Sequence, residues 1–256
     1  MPTETVCAQC GGTGWIIIER AGVSGARPCV CRDHGRAERM LDLSEIPPLY
    51  QGDSFENFVV PGPENPIARR ELTNVLINVK AFARDFPDRT RPGLLLIGEP
   101  GCGKTHLAVA AANEIIKKGF QVWFCSYQSL LNRIVAGYDS VSNLSDRQAF
   151  RRALECEVLL IDDLAANKAN EWIHDTVNSI LTYRCDNKKP VIATTNAPDP
   201  DAGSARFEKN ALGQTDYRRT LADFVGERAR SRLFEMCTVI RMPLIEDYRI
   251  QKGKRL

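Results

Sequence analysis

The sequence lacks long apolar runs and carries almost no net charge. None of its 256 residues belongs to an uninterrupted apolar run of about eighteen residues, the length that a membrane-spanning helix needs. The N-terminal residues MPTETVCAQC also lack the basic and then apolar order of a secretory signal peptide. Lysine and arginine total 34 against 32 acidic residues, so any nucleic-acid surface has to be a local patch. These absences predict a cytoplasmic protein without a membrane partner.

Nine cysteines are the unusual part of the composition. In a cytoplasmic chain of this length they indicate metal ligands or small buried residues. Cys7-x-x-Cys10 and Cys29-x-Cys31 have the pair spacing of a zinc site, and bound zinc would supply folding energy that a small core cannot. The second pair is shorter than usual, so His34 is an alternative ligand; free thiols on a flexible tail are the other interpretation. The remaining cysteines lie in or beside apolar runs and are expected to be inert: Cys102, Cys125, Cys156, Cys185 and Cys237. For Cys102, which lies in a glycine-rich stretch, reaction with alkylating reagents is the alternative.

Composition divides the chain into three zones. Residues 1–50 hold the cysteine pairs and are predicted to form a small zinc-binding module, and residues 51–92 form a linker with an amphipathic helical pattern. In residues 93–256, short apolar runs that do not alternate in polarity are separated by helical patterns, which is typical of parallel strands covered on both faces. The sequence therefore predicts an α/β domain with a parallel five-stranded sheet flanked by helices. The five runs are 94–97, 121–126, 158–161, 191–195 and 237–242.

A glycine-rich loop follows the first of these runs. The sequence GEPGCGKT stands between an apolar run and a helical pattern, the context that supports a phosphate loop of the form G-x-x-x-x-G-K-[ST] over a chance turn. Its glycines let backbone amides face phosphate oxygens, and the following helix adds its partial positive end. Lys104 is expected to reach the β and γ phosphates of ATP, and Thr105 to ligate Mg²⁺. The predicted nucleotide-binding residues are Gly98, Glu99, Pro100, Gly101, Cys102, Gly103, Lys104, Thr105 and His106.

Polar residues follow two further runs. Asp162, directly after residues 158–161, is expected to position Mg²⁺, and Asp163 to orient the attacking water, although both could instead cap a helix. Asp163 has a shorter reach than the glutamate that is commoner there, which predicts slow hydrolysis suited to a switch. Asn196, after residues 191–195, is expected to sense the γ phosphate or to hold the water, with a turn residue as the alternative.

The motifs GEPGCGKTHLA, LLIDDL, ATTN and GERARSRLFEMC, in this order, resemble those of AAA+ ATPases of the DnaC and DnaI helicase-loader type, with the transposase helper IstB as a relative. The resemblance covers about residues 50–245. It implies an AAA+ P-loop NTPase that binds ATP and single-stranded DNA and delivers a DnaB-like replicative helicase. Only 24 residues follow Arg232, too few for a C-terminal lid domain, and this subgroup resembles that shortened plan.

The segment GERARSRLFEMC resembles the part of such ATPases that supplies an arginine to the ATP site of a neighbouring subunit. Arg228 and Arg232 are four residues apart, so a helix places them on one face. The resemblance implies that Arg232 is this arginine finger, that Arg228 is its partner, and that activity requires a homo-oligomer. The alternative is a solvated basic face of a helix.

DNA contacts are expected between the second and third predicted strands. The resemblance implies that helices in residues 126–155 line a groove for single-stranded DNA. Aromatic rings stack on bases and basic groups neutralise phosphates. An ordinary amphipathic helix would place the same residues at its surface. The candidates are Tyr127, Arg133, Tyr138 and Arg147.

The function that the resemblance implies is that of a helicase loader. An IstB-like transposition helper acting on duplex target DNA is the first alternative, and a zinc-dependent adaptor with a non-hydrolysing nucleotide site is the second. The cysteine module favours the loader. By resemblance, a zinc-bearing N-terminal region of the DnaI kind contacts the helicase, whereas IstB-type helpers are not expected to carry one.

Overall fold

A computed structural model defines the fold. It describes residues 7–11, 13, 15–20, 23–88, 90–139, 146–166, 170–203, 207–209, 215–245 and 247–248. In chain order its elements are β1 (Trp15–Arg20), β2 (Val23–Pro28), α1 (Val30–Leu43), α2 (Pro66–Asp85), β3 (Gly93–Ile97), α3 (Lys104–Lys117), β4 (Val122–Ser126), α4 (Tyr127–Asp139), α5 (Asp146–Glu155), β5 (Val158–Leu164), α6 (Glu171–Asp186), β6 (Val191–Thr195), β7 (Phe207–Lys209), β8 (Thr215–Tyr217), α7 (Leu221–Val225), α8 (Glu227–Met236) and β9 (Cys237–Arg241).

A parallel five-stranded sheet in the order β4-β5-β6-β3-β9 lies at the centre of the fold. Each of the five predicted apolar runs corresponds to one of these strands, so this prediction is confirmed. Every residue of β3 and β6 is buried, as expected for strands with both faces covered. Because β3 lies between β6 and β9, and β5 is next to β6, the carboxyl ends of β3, β5 and β6 meet at one edge. This edge carries the polar motifs.

Helices cover both faces of the sheet and form two apolar clusters. Leu94 and Leu96 of β3 pack into the cluster that contains α2 and α3, whereas Leu95 and Ile97 pack into the cluster formed with α4 to α8. This alternation follows from the opposite directions of successive side chains in a strand. Among the described residues, no helix has the length and apolar character needed to cross a membrane.

Helix α2 is built into the α/β domain. It begins with Pro66, and the side chain of Asn65 accepts a hydrogen bond from the Ala68 amide at 3.1 Å, which caps the helix. One face of α2 is buried in the same apolar cluster as α3. The predicted linker, residues 51–92, therefore contributes to the core of the domain. The buried residues of α2 are Ala68, Leu72, Val75, Val79 and Ala83.

The cysteine-containing segment forms a hairpin followed by a helix. Strands β1 and β2 pair antiparallel, with Trp15 opposite Pro28. Helix α1 then runs from Val30 to Leu43, and the carbonyl of Ser44 accepts a hydrogen bond of 2.7 Å from the amide of Phe124 in β4. This bond joins the end of α1 to the edge strand of the central sheet.

Candidate nucleotide-binding site

The loop between β3 and α3 has a backbone that requires glycine. Gly101 and Gly103 have φ values of 73° and 92°, in the left-handed region that other residues rarely adopt. A Cβ atom on Gly103 would also lie 2.7 Å from the Phe58 ring, and one on Gly98 would lie 2.6 Å from the Cβ atom of Met242. The tight turn of this loop therefore depends on its glycines.

Lys104 lies inside the loop at the start of α3. It is 5% exposed, and its Nζ donates a hydrogen bond of 2.8 Å to the carbonyl of Glu99 and lies 3.7 Å from Cys102 Sγ. Gly103, the N-cap residue, has no side chain to accept from the first amides of α3. These amides and the ammonium group are together a set of donors of the kind that binds phosphates at helix N-termini. Burial raises the pKa of the Cys102 thiol, in keeping with the inert role predicted for it.

His106 is held by a segment that precedes α2. Its Nε2 lies 2.8 Å from the carbonyl of Ser54, its Nδ1 lies 3.5 Å from the carboxylate of Asp53, and its ring packs edge-on against Phe58. The His106 side chain therefore braces the phosphate loop. Its backbone amide, in the first turn of α3, is the part that remains available to a phosphate.

Asp162 and Thr105 lie side by side at the carboxyl edge of the sheet. Thr105 Oγ1 donates to Asp162 Oδ1 at 2.9 Å, and Thr194 Oγ1 donates to the same oxygen at 2.7 Å. Burial raises the pKa of Asp162, the neighbouring charge of Asp163 raises it further, and the two threonine hydroxyls oppose the shift. A hydroxyl and a carboxylate beside a phosphate loop are a donor set suited to Mg²⁺.

Asp163 lies at an irregularity in β5. The register of β5 against β6 shifts between Ile161 and Leu164, and Asp163 has φ of 52°, unusual for a residue other than glycine. Its side chain is exposed, and Asn196 Nδ2 is 3.4 Å from Asp163 Oδ1. This arrangement places a carboxylate and an amide at the open side of the candidate site, where each could contact a water molecule.

Asp162→Asn is expected to stabilise the nucleotide-free protein at pH 7 and to abolish Mg²⁺-dependent turnover. Because burial raises the pKa of Asp162, its charged form is less stable in the folded protein than in the unfolded chain. The amide keeps an oxygen for both threonine hydroxyls and carries no charge. Thermal unfolding should show a higher midpoint for the variant, and about 1 kcal/mol corresponds to roughly 2–4 °C in a chain of this size.

The sign of this effect also predicts its pH dependence. The difference in midpoint should shrink as the pH falls through the raised pKa of Asp162 in the folded protein, and it should vanish below about 3.9, the ordinary pKa of aspartate, because the carboxyl group is then neutral in both the folded and the unfolded protein. Asp175→Asn is the matched control, since that aspartate is exposed on α6. Equal stabilisation by both variants would contradict the explanation from burial.

A family model decides the assignment of the chain. Residues 29–214 match the model of the IstB-like ATP binding proteins, and this match covers more than half of the sequence. The chain belongs to the IstB-like ATP-binding protein family. The phosphate loop and Asp162 lie within the matched region.

The relatives of this IstB-like protein include phage and replication proteins. The phage-like element PBSX protein XkdC of Bacillus subtilis (strain 168) is 27% identical over 197 residues, which are 74% of this chain and 71% of XkdC. The replicative helicase loader DnaC of Escherichia coli (strain K12) is 25% identical over 162 residues, which are 63% of this chain and 62% of DnaC. The match thus spans less than two thirds of that loader.

Solved structures of replication proteins have folds similar to that of this chain. The crystal structure of the DnaC helicase loader has a TM-score of 0.60 at 25% identity, over 77% of this chain and 100% of that chain. The replication initiator DnaA bound to AMPPCP and single-stranded DNA has a TM-score of 0.54 at 21% identity, over 82% of this chain and 55% of that chain, a likeness of fold alone. The IstB-like protein therefore has the AAA+ fold that its motifs predict.

Both candidate finger arginines lie on α8. Arg228 is exposed, whereas Arg232 donates to Glu235 Oε2 at 2.7 Å and lies 3.9 Å from Asp186 Oδ1. The Arg232 side chain is 37% exposed. Within the described part of the chain, no hydrogen bond or ion pair joins either arginine to the phosphate loop. This position is consistent with a role outside the protomer's own site, and the finger itself stays a prediction.

Four cysteines meet at the end of the hairpin. Their Sγ atoms all lie within 4.8 Å of one another, with Cys7 and Cys29 at 3.8 Å and Cys10 and Cys31 at 3.3 Å. Tetrahedral zinc with bonds of about 2.3 Å places sulfur atoms about 3.8 Å apart, so the cluster fits zinc. Hydrogen bonding to neighbouring thiols, Cys10 first, raises the pKa of Cys31, and a bound cation would favour its thiolate instead. The four thiols complete a ligand set, and the His34 side chain lies outside the described residues.

One predicted DNA contact is wrong. Tyr127 is 1% exposed within the apolar core, so its ring has no free face on which a base could stack. Arg133 is half-exposed and donates to Glu45 Oε2 at 2.7 Å, and Arg152 of α5 pairs with the other oxygen of the same carboxylate. Tyr138 and Arg147 lie on α4 and α5, but their side chains are outside the described residues.

Sequence reasoning missed two further contacts of the phosphate loop. Arg218, just after β8, donates to Glu99 Oε1 at 2.9 Å. The amide of Tyr248 donates to the carbonyl of Gly101 at 3.2 Å. Both partners are more than a hundred residues away from the loop in the sequence, and no local motif marks them. Only the fold brings them to the loop.

Proposed function

We propose that this IstB-like protein is an ATP-driven loader that places a replicative helicase on single-stranded DNA. The observation that carries the proposal is the contact of Thr105 and Asp162 beside the phosphate loop, because it combines phosphate-binding and Mg²⁺-binding groups in one place. The similarity to the replicative helicase loader DnaC supports the choice of partner.

In the proposed mechanism the loop amides and Lys104 bind the triphosphate of ATP. Thr105 and Asp162 would hold Mg²⁺, which when bound neutralises charge on the phosphates. Asp163 orients the attacking water, with Asn196 beside it, and the short aspartate side chain gives slow turnover. A long-lived ATP state suits a protein that has to remain on DNA until the helicase is in place.

Arg232 is proposed to complete the ATP site of a neighbouring copy in a homo-oligomer. For this it has to leave Glu235, an exposed partner at 2.7 Å. Exposed ion pairs contribute about 0–1 kcal/mol to stability, so little free energy is lost when Arg232 leaves Glu235 for a phosphate. Arg228, on the same face of α8, would support it.

The zinc hairpin is proposed to contact the helicase. Its described surface is unusually apolar: Trp15 is 45% exposed, Ile17 is 75% exposed and Ile18 is 39% exposed. Neighbouring apolar side chains that remain in water are a common property of protein interaction surfaces. The hairpin and the ATP site lie in one chain, so ATP binding and helicase capture can be linked.

The test is capture of a purified DnaB-type hexamer from the same source. We expect the wild-type protein to retain the hexamer with ATP and single-stranded DNA, and Lys104→Ala to lose it. Loss of a charge-assisted hydrogen bond costs about 1.5–3 kcal/mol, or roughly 10- to 100-fold in ATP affinity. Lys117→Ala is the matched control, because that lysine lies on the same helix and is 64% exposed.

Two outcomes would contradict the loader. Equal retention of the hexamer by wild-type protein and Lys104→Ala would show that helicase capture does not depend on ATP binding. ATP-dependent coating of duplex DNA without helicase capture would favour an IstB-like transposition helper, the second candidate function.

A further inference from the structure

Arg230, between the two candidate finger arginines, forms the most buried ion pair of α8. Its Nε donates to Asp199 Oδ2 at 2.6 Å and its Nη2 donates to Asp199 Oδ1 at 2.7 Å. The Asp199 side chain is 0% exposed and that of Arg230 is 16% exposed. Arg230 also pairs with Asp201, and its guanidinium lies 4.4 Å from the centre of the Phe234 ring. This paired, fork-shaped geometry is specific to arginine.

Asp199 belongs to a hydrogen-bonded loop that continues from β6. It comes three residues after Asn196. Thr195 Oγ1 donates to the carbonyl of Leu164 at 2.7 Å and accepts from the amide of Ala197 at 3.1 Å. The carbonyl of Pro198 then accepts from the first amide of α7 at 3.0 Å. The ion pair therefore attaches α8 to the strand end that borders the candidate nucleotide site.

The helical geometry of α8 places Arg230 and Arg232 on different sides of the helix. Residues two apart on an α-helix point about 200° apart, so Arg230 and Arg232 face nearly opposite directions. Arg230 faces the protein, with buried Ala229 and Leu233 beside it, while Arg232 reaches the surface. Whatever fixes Arg230 also fixes the rotation of α8 about its axis, and this rotation sets the position of Arg232.

We infer that Arg230 is a positioning residue for the arginine finger: its paired contact with Asp199 holds α8 so that Arg232 reaches the ATP site of the adjoining protomer. The inference rests on the proposed function, because it needs Arg232 to act between protomers. It adds a residue that neither the phosphate-loop motifs nor the spacing of Arg228 and Arg232 indicates. A positioning role acts on the neighbour's site, whereas a role in folding alone acts on the protomer's own structure.

Arg230→Lys separates these two roles. Lysine keeps the charge beside Asp199 but loses the second parallel hydrogen bond, so α8 remains attached with less exact orientation. Displacement of a catalytic group by about 1 Å can cost on the order of 10²-fold in rate, and we expect a loss of this size in ATP turnover by the full chain. Arg84→Lys is the matched control, because that arginine is 75% exposed and pairs with its neighbour Asp85.

The decisive readout is turnover by mixed assemblies. Asp163→Asn protomers keep Arg230 and Arg232 but lack the water-orienting carboxylate, so they can supply a correctly placed finger without turnover of their own. Mixed in equal amounts with Arg230→Lys, they should raise turnover at least about tenfold above the sum of the separate variants, since the intact sites of Arg230→Lys then receive a well-placed arginine. The same mixture with Arg232→Ala serves as the reference.

Each result of this experiment has a definite meaning. Recovery in both mixtures supports the positioning role. Recovery with Arg232→Ala but not with Arg230→Lys would overturn it, because Arg230 would then act on its own protomer. Wild-type turnover by Arg230→Lys alone would also overturn it. Failure of the Arg232→Ala mixture would refute the proposed finger and the inference with it. If Arg230→Lys unfolds at a lower temperature than Arg84→Lys, Asp199→Asn, which keeps an oxygen for one bond, replaces it in the same mixtures.

Discussion

Arg232→Ala is expected to lower ATP turnover of the assembled protein by about 10³- to 10⁵-fold, or about 4–7 kcal/mol of activation free energy. The reason is electrostatic: an arginine beside the transferring phosphoryl group offsets the charge that develops there, and alanine leaves that charge to Lys104 and Mg²⁺ alone. The measurement is phosphate release at saturating ATP with single-stranded DNA present. ATP affinity should change far less than turnover, because the finger acts mainly in the transition state.

Arg228→Ala is the companion variant for this prediction. Arg228 lies one turn before Arg232 on the same face and is exposed, so its removal should reduce turnover less. A larger loss with Arg228→Ala would reverse the roles of the two arginines. Full turnover by isolated protomers would exclude any finger supplied by a neighbour.

Removal of zinc is expected to unfold the cysteine hairpin and to leave the central sheet folded. Zinc binding contributes about 10–16 kcal/mol to the folding of small zinc domains, and this hairpin exposes Ile17 and Ile18 instead of burying a core. The expected content is one zinc ion per chain by elemental analysis. After treatment with a strong chelator, hydrogen exchange should lose protection in residues 15–28 and keep it in β3 and β6.

Cys31→Ser should reproduce the effect of the chelator, because it removes one ligand of the cluster. Cys185→Ser is its control, since Cys185 is a half-buried cysteine on α6, outside the cluster. A metal-free wild-type protein with an unchanged exchange pattern in the hairpin would show that the thiols are not a structural metal site. Helicase capture should fail together with hairpin folding if the hairpin forms the contact.

The sequence predicted those features of the fold that have a local signal in the chain. The five apolar runs and the glycine loop each depend on neighbours in the chain, and the parallel order of the strands then places Asp162 beside Thr105. Long-range contacts had no such signal. The pairing of Arg230 with Asp199 spans 31 residues, and that of Arg218 with Glu99 spans 119.

The wrong DNA contact came from the direction of a side chain. Tyr127 begins α4 directly after a buried strand, and its ring is part of the core, although its residue type suits base stacking. The pattern through Leu72, Val75 and Val79 correctly indicates a helix, but composition alone did not show that its apolar face is covered by the α/β domain. Amphipathic periodicity gives the buried face of a helix, not its partner.

The hydrogen bond of Lys104 to the loop backbone has a consequence for the order of the proposed phosphate site. One N–H bond of the ammonium group donates to the carbonyl of Glu99 at 2.8 Å, and this contact fixes the direction of the buried side chain. A lysine ammonium group has three N–H bonds, so the other two can donate to phosphate oxygens while this contact is kept. In the proposed function, the Lys104 side chain would therefore lose little conformational entropy when ATP binds.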